Sequence, residues 1–65
     1  MQDLEKQYAR TFQTRDGKAV LEHLRKITIE RVLGANATDA ELRWMEANRA
    51  LVRQIESMIA RGKKG

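Results

Sequence analysis

The 65-residue sequence contains no cysteine and no proline, and its one histidine is His23. The absence of cysteine excludes disulfides and thiolate metal sites, and one histidine cannot form a histidine cluster. We therefore expect neither a metal nor a cofactor. A chain this short is only marginally stable without such cross-links. Its stability must come from well-packed helices, from self-association or from a larger partner.

Long apolar runs are also lacking. None approaches the ~20 residues that a membrane-spanning helix needs. The first ten residues, MQDLEKQYAR, lack the apolar core of a signal peptide. We therefore expect a soluble, intracellular protein that makes no contact with a membrane.

Catalytic groups are few. Nucleophilic catalysis requires Ser, Thr or Cys beside a base and an orienting group, and the sequence has one His and one Ser. Paired carboxylates would need a cleft, which two or three short helices do not enclose. The sequence therefore predicts a protein that is not an enzyme and binds no small-molecule substrate.

The charge balance is basic, with 13 Lys and Arg against 9 Asp and Glu and a net charge of +4. The two signs are interleaved, except in the last five residues, RGKKG. This pattern favours an ordinary solvated surface, with nucleic-acid binding as the second choice. In that alternative, four basic side chains would follow the phosphates, with a steep dependence on salt. They are Arg53, Arg61, Lys63 and Lys64.

Helix-forming residues dominate the composition, which predicts an all-α fold. A short first helix is expected at about residues 3–12, where Leu4, Tyr8 and Phe12 recur every four residues. About ten residues form only a marginal helix in isolation. This helix must therefore dock, either on its own chain or on a partner.

A second helix is predicted at about residues 15–33. Thr14 suits its N-cap, and apolar residues follow on one side. Gly17 is unfavourable in a helix by roughly 0.5–1 kcal/mol, so we expect another backbone to approach it closely. Ile29 and Leu33 lie opposite the apolar stripe. They would cover the docked first helix or form part of an oligomer or partner surface.

The third helix is predicted at about residues 39–61. The segment Gly34-Ala35-Asn36-Ala37 ends the second helix, with Gly34 in the left-handed conformation that often follows a helix. Thr38 and Glu41 then match a capping box. A connection this short predicts an antiparallel helical hairpin. We expect a single domain at residues 1–61 and a flexible basic tail at residues 62–65.

The third helix has an apolar arc wider than one neighbouring helix would cover. A second element must cover the rest, either the first helix or another chain. Asn48 lies near the centre of this arc. It would pair with Thr28 or His23 in the core, or with its own copy across a dimer, where a polar residue fixes the register. The arc comprises Trp44, Met45, Leu51, Val52, Ile55, Met58 and Ile59.

Two spaced patterns, Phe12-x-Thr14-x-x-Gly17-Lys18-x-Val20-Leu21-x-x-Leu24 and Glu46-Ala47-Asn48-Arg49-x-Leu51-Val52-x-x-Ile55-Glu56, together resemble a family of small tailed-phage proteins. The genes of this family lie near the head-morphogenesis and portal genes. The second pattern departs from the family's usual Glu-Gly-Gln-Arg at Ala47 and Asn48. The resemblance implies a phage protein with a role in virion assembly, present in the host cytoplasm, the virion or both.

We therefore expect an accessory protein that docks by an apolar helical face on the portal, the head–tail connector or the capsid interior, or associates with itself. Phage-encoded inhibition of a host enzyme is a further alternative, since it also needs only a shaped surface. Arg49 would be a partner anchor or would pair with Glu46 within its own helix. The residues expected to bind a partner are Tyr8, Phe12, Ile29, Leu33, Trp44 and Arg49.

Overall fold

A computed structural model describes residues 2–64, which form three α-helices and, within that range, no strand. Helix α1 spans Gln2–Gln13, α2 spans Arg15–Ile27 and α3 spans Asp39–Lys64. The predicted all-α class and the order of a short helix followed by a helical hairpin are both confirmed.

Helix α1 docks on its own chain, against the carboxyl-terminal part of α3. Ala9 is buried at this contact, and a Cβ added at Gly62 would lie 2.8 Å from the Ala9 Cβ. At the edge of the contact, Arg61 forms an ion pair with Glu5 at 3.4 Å. The small side chains allow the two helices to approach closely, so docking within the chain supplies the stability that α1 lacks alone.

A single residue, Thr14, separates α1 from α2. Its side-chain oxygen accepts a hydrogen bond from the Gly17 backbone N–H at 3.0 Å, and its hydroxyl donates to the Thr11 carbonyl at 3.0 Å. A Cβ at Gly17 would lie 2.0 Å from the Thr11 carbonyl oxygen and 2.8 Å from the Phe12 Cα. The predicted cap and the predicted close approach of backbone to Gly17 are therefore confirmed.

Helix α2 is shorter than expected: it ends at Ile27 instead of continuing to about Leu33. The backbone tightens there, with the Thr28 N–H 3.3 Å and the Glu30 N–H 2.9 Å from the Arg25 carbonyl. The carbonyls of Thr28 and Arg31 instead accept hydrogen bonds from the guanidinium of Arg49 on α3. The local sequence would continue the helix to about Leu33. Hydrogen bonds from Arg49, which is distant in sequence, therefore end α2 at Ile27.

The connection between α2 and α3 covers residues 28–38 and is longer than the four-residue break expected at 34–37. Gly34 does not adopt the predicted left-handed conformation, because no glycine of the described residues has a positive φ. Helix α2 has already ended at Ile27, so Gly34 does not follow the end of a helix directly. The capping box is confirmed: the Glu41 N–H donates to the Thr38 Oγ1 at 3.1 Å, and the Thr38 N–H to the Glu41 Oε1 at 3.3 Å.

Helix α3 continues to Lys64, three residues beyond the predicted end at 61. Residues 62–64, expected in a flexible tail, are therefore helical, while the last residue of that expected tail, Gly65, lies outside the described residues. Gly62 extends the helix because it fits against the α1 backbone, where a Cβ would lie 2.1 Å from the Glu5 carbonyl oxygen.

The molecule is long and thin, with extents of 43, 24 and 12 Å along its principal axes. A 26-residue helix is about 39 Å long, so α3 accounts for the longest dimension. The thinnest extent leaves room for little more than one layer of helices, which pack about 8–10 Å apart. The core is correspondingly small. Its buried apolar residues are Ala9, Met45, Val52, Met58 and Ile59.

Candidate interaction surfaces

The apolar arc of α3 is covered unevenly along its length. Near the carboxyl end, α1 covers it, and Met58 and Ile59 are buried. Nearer the amino end, beyond α1, Met45 and Val52 are also buried, but Trp44 and Leu51 on the adjoining side of the arc are 61% and 60% exposed. Two large apolar side chains seven residues apart, on one face of one helix, are therefore left in solvent.

These two side chains form one wall of an apolar groove between α2 and α3, which we call the Trp44 groove. It is a hollow of about 240 Å³. Exposed Ile27 lies on the opposite wall, and buried Val52 forms part of the floor. The groove lies between two helices that make few direct contacts with each other. Its lining residues are Leu24, Ile27, Thr28, Arg31, Trp44, Asn48, Leu51 and Val52.

Asn48 lies half-buried in this groove, and its side chain makes no hydrogen bond within residues 2–64. The expected core pairing with Thr28 or His23 is not formed. The Thr28 hydroxyl donates to the Leu24 carbonyl at 2.6 Å, and His23 is exposed. The amide of Asn48 therefore has no partner within residues 2–64 and is accessible to solvent, since no buried side-chain polar atom of the described residues lacks a hydrogen bond.

The second surface is the outer face of α1, which we call the α1 face. Tyr8 and Phe12 are half-buried, with ring centroids 6.4 Å apart and ring planes inclined by 21°. Leu4 is 38% exposed beside them. Together with Gln7 and Thr11, these residues line a shallow hollow of about 250 Å³. The α1 face therefore mixes aromatic and polar groups on a helix already held by α3.

Arg49, expected as a partner anchor or as the partner of Glu46, has its guanidinium occupied within the chain. Its Nε donates to the Thr28 carbonyl at 3.0 Å and its Nη2 to the Arg31 carbonyl at 2.6 Å. Its Nη1 pairs with Glu46 at 2.9 Å, as the intrahelical reading predicted. In this arrangement Arg49 fastens the connection 28–38 to α3.

Ile29 and Leu33 lie in the connection 28–38, outside any helix, and both are half-buried. They therefore do not present a stripe on a helix, as the predicted second helix implied. Sequence reasoning also left Ile27 and Leu51 out of the expected binding residues. The signal was available, because Leu51 follows Trp44 by seven residues and Ile27 follows Val20 by the same interval.

The four basic residues proposed to contact nucleic acid differ in whether they are paired within the chain. Arg61 is held by Glu5 and by a 3.0 Å hydrogen bond to the Ser57 Oγ. Arg53, Lys63 and Lys64 are exposed and make no ion pair within residues 2–64. Three of the four side chains are therefore accessible to an anionic partner.

The described residues contain no cluster of three His, Asp or Glu side chains that would hold a metal ion. Over the same range, no helix combines the length and apolar character needed to cross a membrane. The surfaces described above are the Trp44 groove, the α1 face and the exposed basic side chains of α3.

Comparison with known families finds a match over residues 8–63 to a family model described as Bbp19-like phage protein. The match covers α2, the connection, almost all of α3 and the second half of α1. Neither the curated proteins nor the solved structures contain a match to the chain.

Proposed function

Because the chain belongs to the Bbp19-like phage protein family, we propose that it is a non-enzymatic accessory protein of virion assembly. It docks on a larger phage assembly, such as the portal, the head–tail connector or the capsid interior. The tailed-phage family that the sequence resembles supports this role, because its genes lie near the head-morphogenesis and portal genes. A small helical chain with exposed apolar surface is suited to binding another protein.

The observation that carries the proposal is the α1 face. Its aromatic pair, Tyr8 and Phe12, is stacked and half-buried before any partner arrives. Pre-ordered aromatic side chains lose little conformational entropy on binding. Non-obligate interfaces are enriched in aromatic residues and also contain polar groups, here Gln7 and Thr11. The α1 face has this mixed character and is the docking surface in our proposal.

The test introduces Gln7→Arg, which places a long charged side chain at an exposed position in the hollow of the α1 face. Gln54→Arg is the matched control, because Gln54 is exposed on α3 and lines neither surface. Each variant carries an epitope tag and is expressed during infection, and its copy number in purified virions is measured by mass spectrometry. We expect wild-type chain and Gln54→Arg in virions at a defined copy number and Gln7→Arg at less than about a tenth of it.

Absence of the wild-type chain from virions and from isolated portal complexes would contradict the proposal. Equal incorporation of both variants would contradict the choice of the α1 face while leaving the virion role intact. Recovery of the chain with a host enzyme instead would favour the inhibitor alternative.

Nucleic-acid binding is the second candidate function, and the observation that favours it is a set of exposed basic side chains on α3, Arg53 near its middle and Lys63 and Lys64 at its carboxyl end. Binding through phosphates weakens steeply as salt increases. The measurement is DNA binding at about 50 mM and about 200 mM salt, with the full chain and with a chain that ends at residue 62. No binding at the lower salt would eliminate this candidate. Binding that is lost on truncation would favour it over protein docking.

A further inference from the structure

We propose that a second copy of this chain covers the Trp44 groove, forming an antiparallel, two-fold symmetric dimer through α3. This inference goes beyond the docking function, since it concerns a different surface and holds whether or not the protein enters the virion. It rests on the area of the molecule, on the spacing of three groove residues and on the apolar lining.

The chain exposes more surface than a compact monomer of its size. Its accessible surface is 5113 Å², whereas a folded monomer of 7.5 kDa is expected to expose about 4,250 Å². Its radius of gyration is 13.9 Å, against about 10.7 Å for a compact 65-residue chain. The surplus of about 860 Å² follows from the elongated shape of the whole chain, and it is large enough to supply the ~800 Å² that each partner contributes to a standard interface.

The spacing of the groove residues on α3 is self-complementary. Asn48 lies four residues after Trp44 and three before Leu51. When two copies of α3 run antiparallel about an axis between Ala47 and Asn48, Trp44 of each copy faces Leu51 of the other, and the two Asn48 residues lie on either side of the axis. An interface in which residue i meets j, and j meets i, is what a two-fold axis requires.

The same axis explains why a polar residue lies in this groove. Two Asn48 side chains meet at the axis, and each amide supplies both a donor and an acceptor to the other. In the free chain this amide is accessible to water, and in the dimer the second amide replaces the water that the covered groove excludes. Antiparallel pairing in another register would place each amide against apolar side chains, at the expense of an unsatisfied polar group.

The lining of the groove is that of a subunit contact. Interfaces between identical subunits are more apolar than transient ones, and Arg31 is the only charged residue among the eight that line the groove. No acidic residue is present there to attract a basic partner. Two copies each carry a net charge of +4, so screening by salt should strengthen the dimer, the opposite of its effect on nucleic-acid binding.

The first measurement is sedimentation equilibrium of the full chain at about 50 mM and about 500 mM salt, two ionic strengths with different charge screening. We expect a mass twice the 7.5 kDa of the chain, with tighter association at the higher salt. Trp44 is the single tryptophan, so its emission reports on the groove directly. The emission maximum should move to shorter wavelength over the same concentration range in which the mass doubles.

The second measurement compares Leu51→Glu with Leu42→Glu. Leu51 is 60% and Leu42 47% exposed, both on α3, and only Leu51 lines the groove. A carboxylate at residue 51 would be buried without a partner in the dimer. We expect Leu51→Glu to raise the dissociation constant by about 100-fold and Leu42→Glu to leave it within about threefold of wild type. Circular dichroism of each variant checks that the helices are retained.

Asn48→Asp replaces the amide with a carboxylate of nearly the same size and shape, so it changes the charge at the axis and little else. Two carboxylates at the axis repel each other, so we expect weaker association without loss of helix content.

A monomer at both salt concentrations, up to millimolar protein, would overturn the proposal. So would a doubled mass with no shift in Trp44 emission, or equal effects of the two leucine variants, since both place the contact elsewhere.

Discussion

Gly62 of α3 lies directly against the Glu5 carbonyl of α1, so that a Cβ at residue 62 would come within 2.1 Å of the carbonyl oxygen. We predict that Gly62→Ala lowers the free energy of unfolding by about 1–3 kcal/mol, because α1 must move away to make room. In an unobstructed helix the same substitution would stabilise by roughly 0.5–1 kcal/mol. Urea denaturation followed by circular dichroism measures the change in unfolding free energy and shows whether Gly62→Ala destabilises or stabilises the fold.

Gly34→Ala is the matched control for this substitution. Nothing lies within 4 Å of a Cβ added at Gly34, and its φ is not positive. We expect no destabilisation, since the added methyl group only reduces the freedom of the unfolded chain. Equal losses in the two variants would contradict the close packing of α1 on α3.

Arg49 is predicted to be a residue on which the connection 28–38 depends. Arg49→Ala removes donors to the Thr28 and Arg31 carbonyls, and we expect a loss of about 1–3 kcal/mol in unfolding free energy. Hydrogen exchange at residues 29–33 should accelerate together with this loss. Arg53→Ala serves as the control, because Arg53 is exposed on the same helix. Its effect should stay within about 0.5 kcal/mol.

The α2 N-cap provides a local prediction. Thr14→Ala removes the oxygen that accepts from the Gly17 N–H and should lower the free energy of unfolding by about 1 kcal/mol. Thr14→Ser keeps the hydroxyl and should be nearly neutral. Thermal unfolding of both variants measures the difference. Equal behaviour of the two would show that the hydroxyl contributes nothing to the start of α2.

Arg25 and Glu56 form an ion pair between α2 and α3, with Nη1 and Oε2 2.5 Å apart. Both side chains are about one third exposed, so solvent screens the interaction. A double-mutant cycle with Arg25→Gln and Glu56→Gln should therefore give a coupling free energy no greater than about 1 kcal/mol. The coupling should shrink at high salt. A larger, salt-independent value would contradict this exposure.

The parts of the fold that local sequence predicts are those governed by neighbouring residues. Thr14 and Thr38 cap helices through bonds three residues away, and such spacing is visible in the chain. Gly17 was recognisable because a glycine inside a helical pattern needs a reason. Helix type and the two caps follow from this information alone.

The carboxyl end of α2 was mispredicted because its cause lies on another helix. Residues 28–33 continue a helical pattern, but the carbonyls of Thr28 and Arg31 bind Arg49 instead. The groove was anticipated only as an apolar arc wider than one helix covers. Which side chains of that arc stay exposed, here Trp44 and Leu51, depends on where α1 docks, and a small residue such as Ala9 or Gly62 gives little indication of that position from sequence.

The contact between Arg49 and the end of α2 also has a consequence for the order in which the chain acquires its structure. Thr28 precedes Arg49 by 21 residues, so a growing chain contains residues 28–33 before the side chain that ends α2 exists. During that interval the contact with α3 is missing, and an isolated helix of this length is only marginally stable in water. The end of α2 is therefore fixed only when α3 docks and Arg49 binds the Thr28 and Arg31 carbonyls, which couples formation of α3 to the final shape of the segment that precedes it.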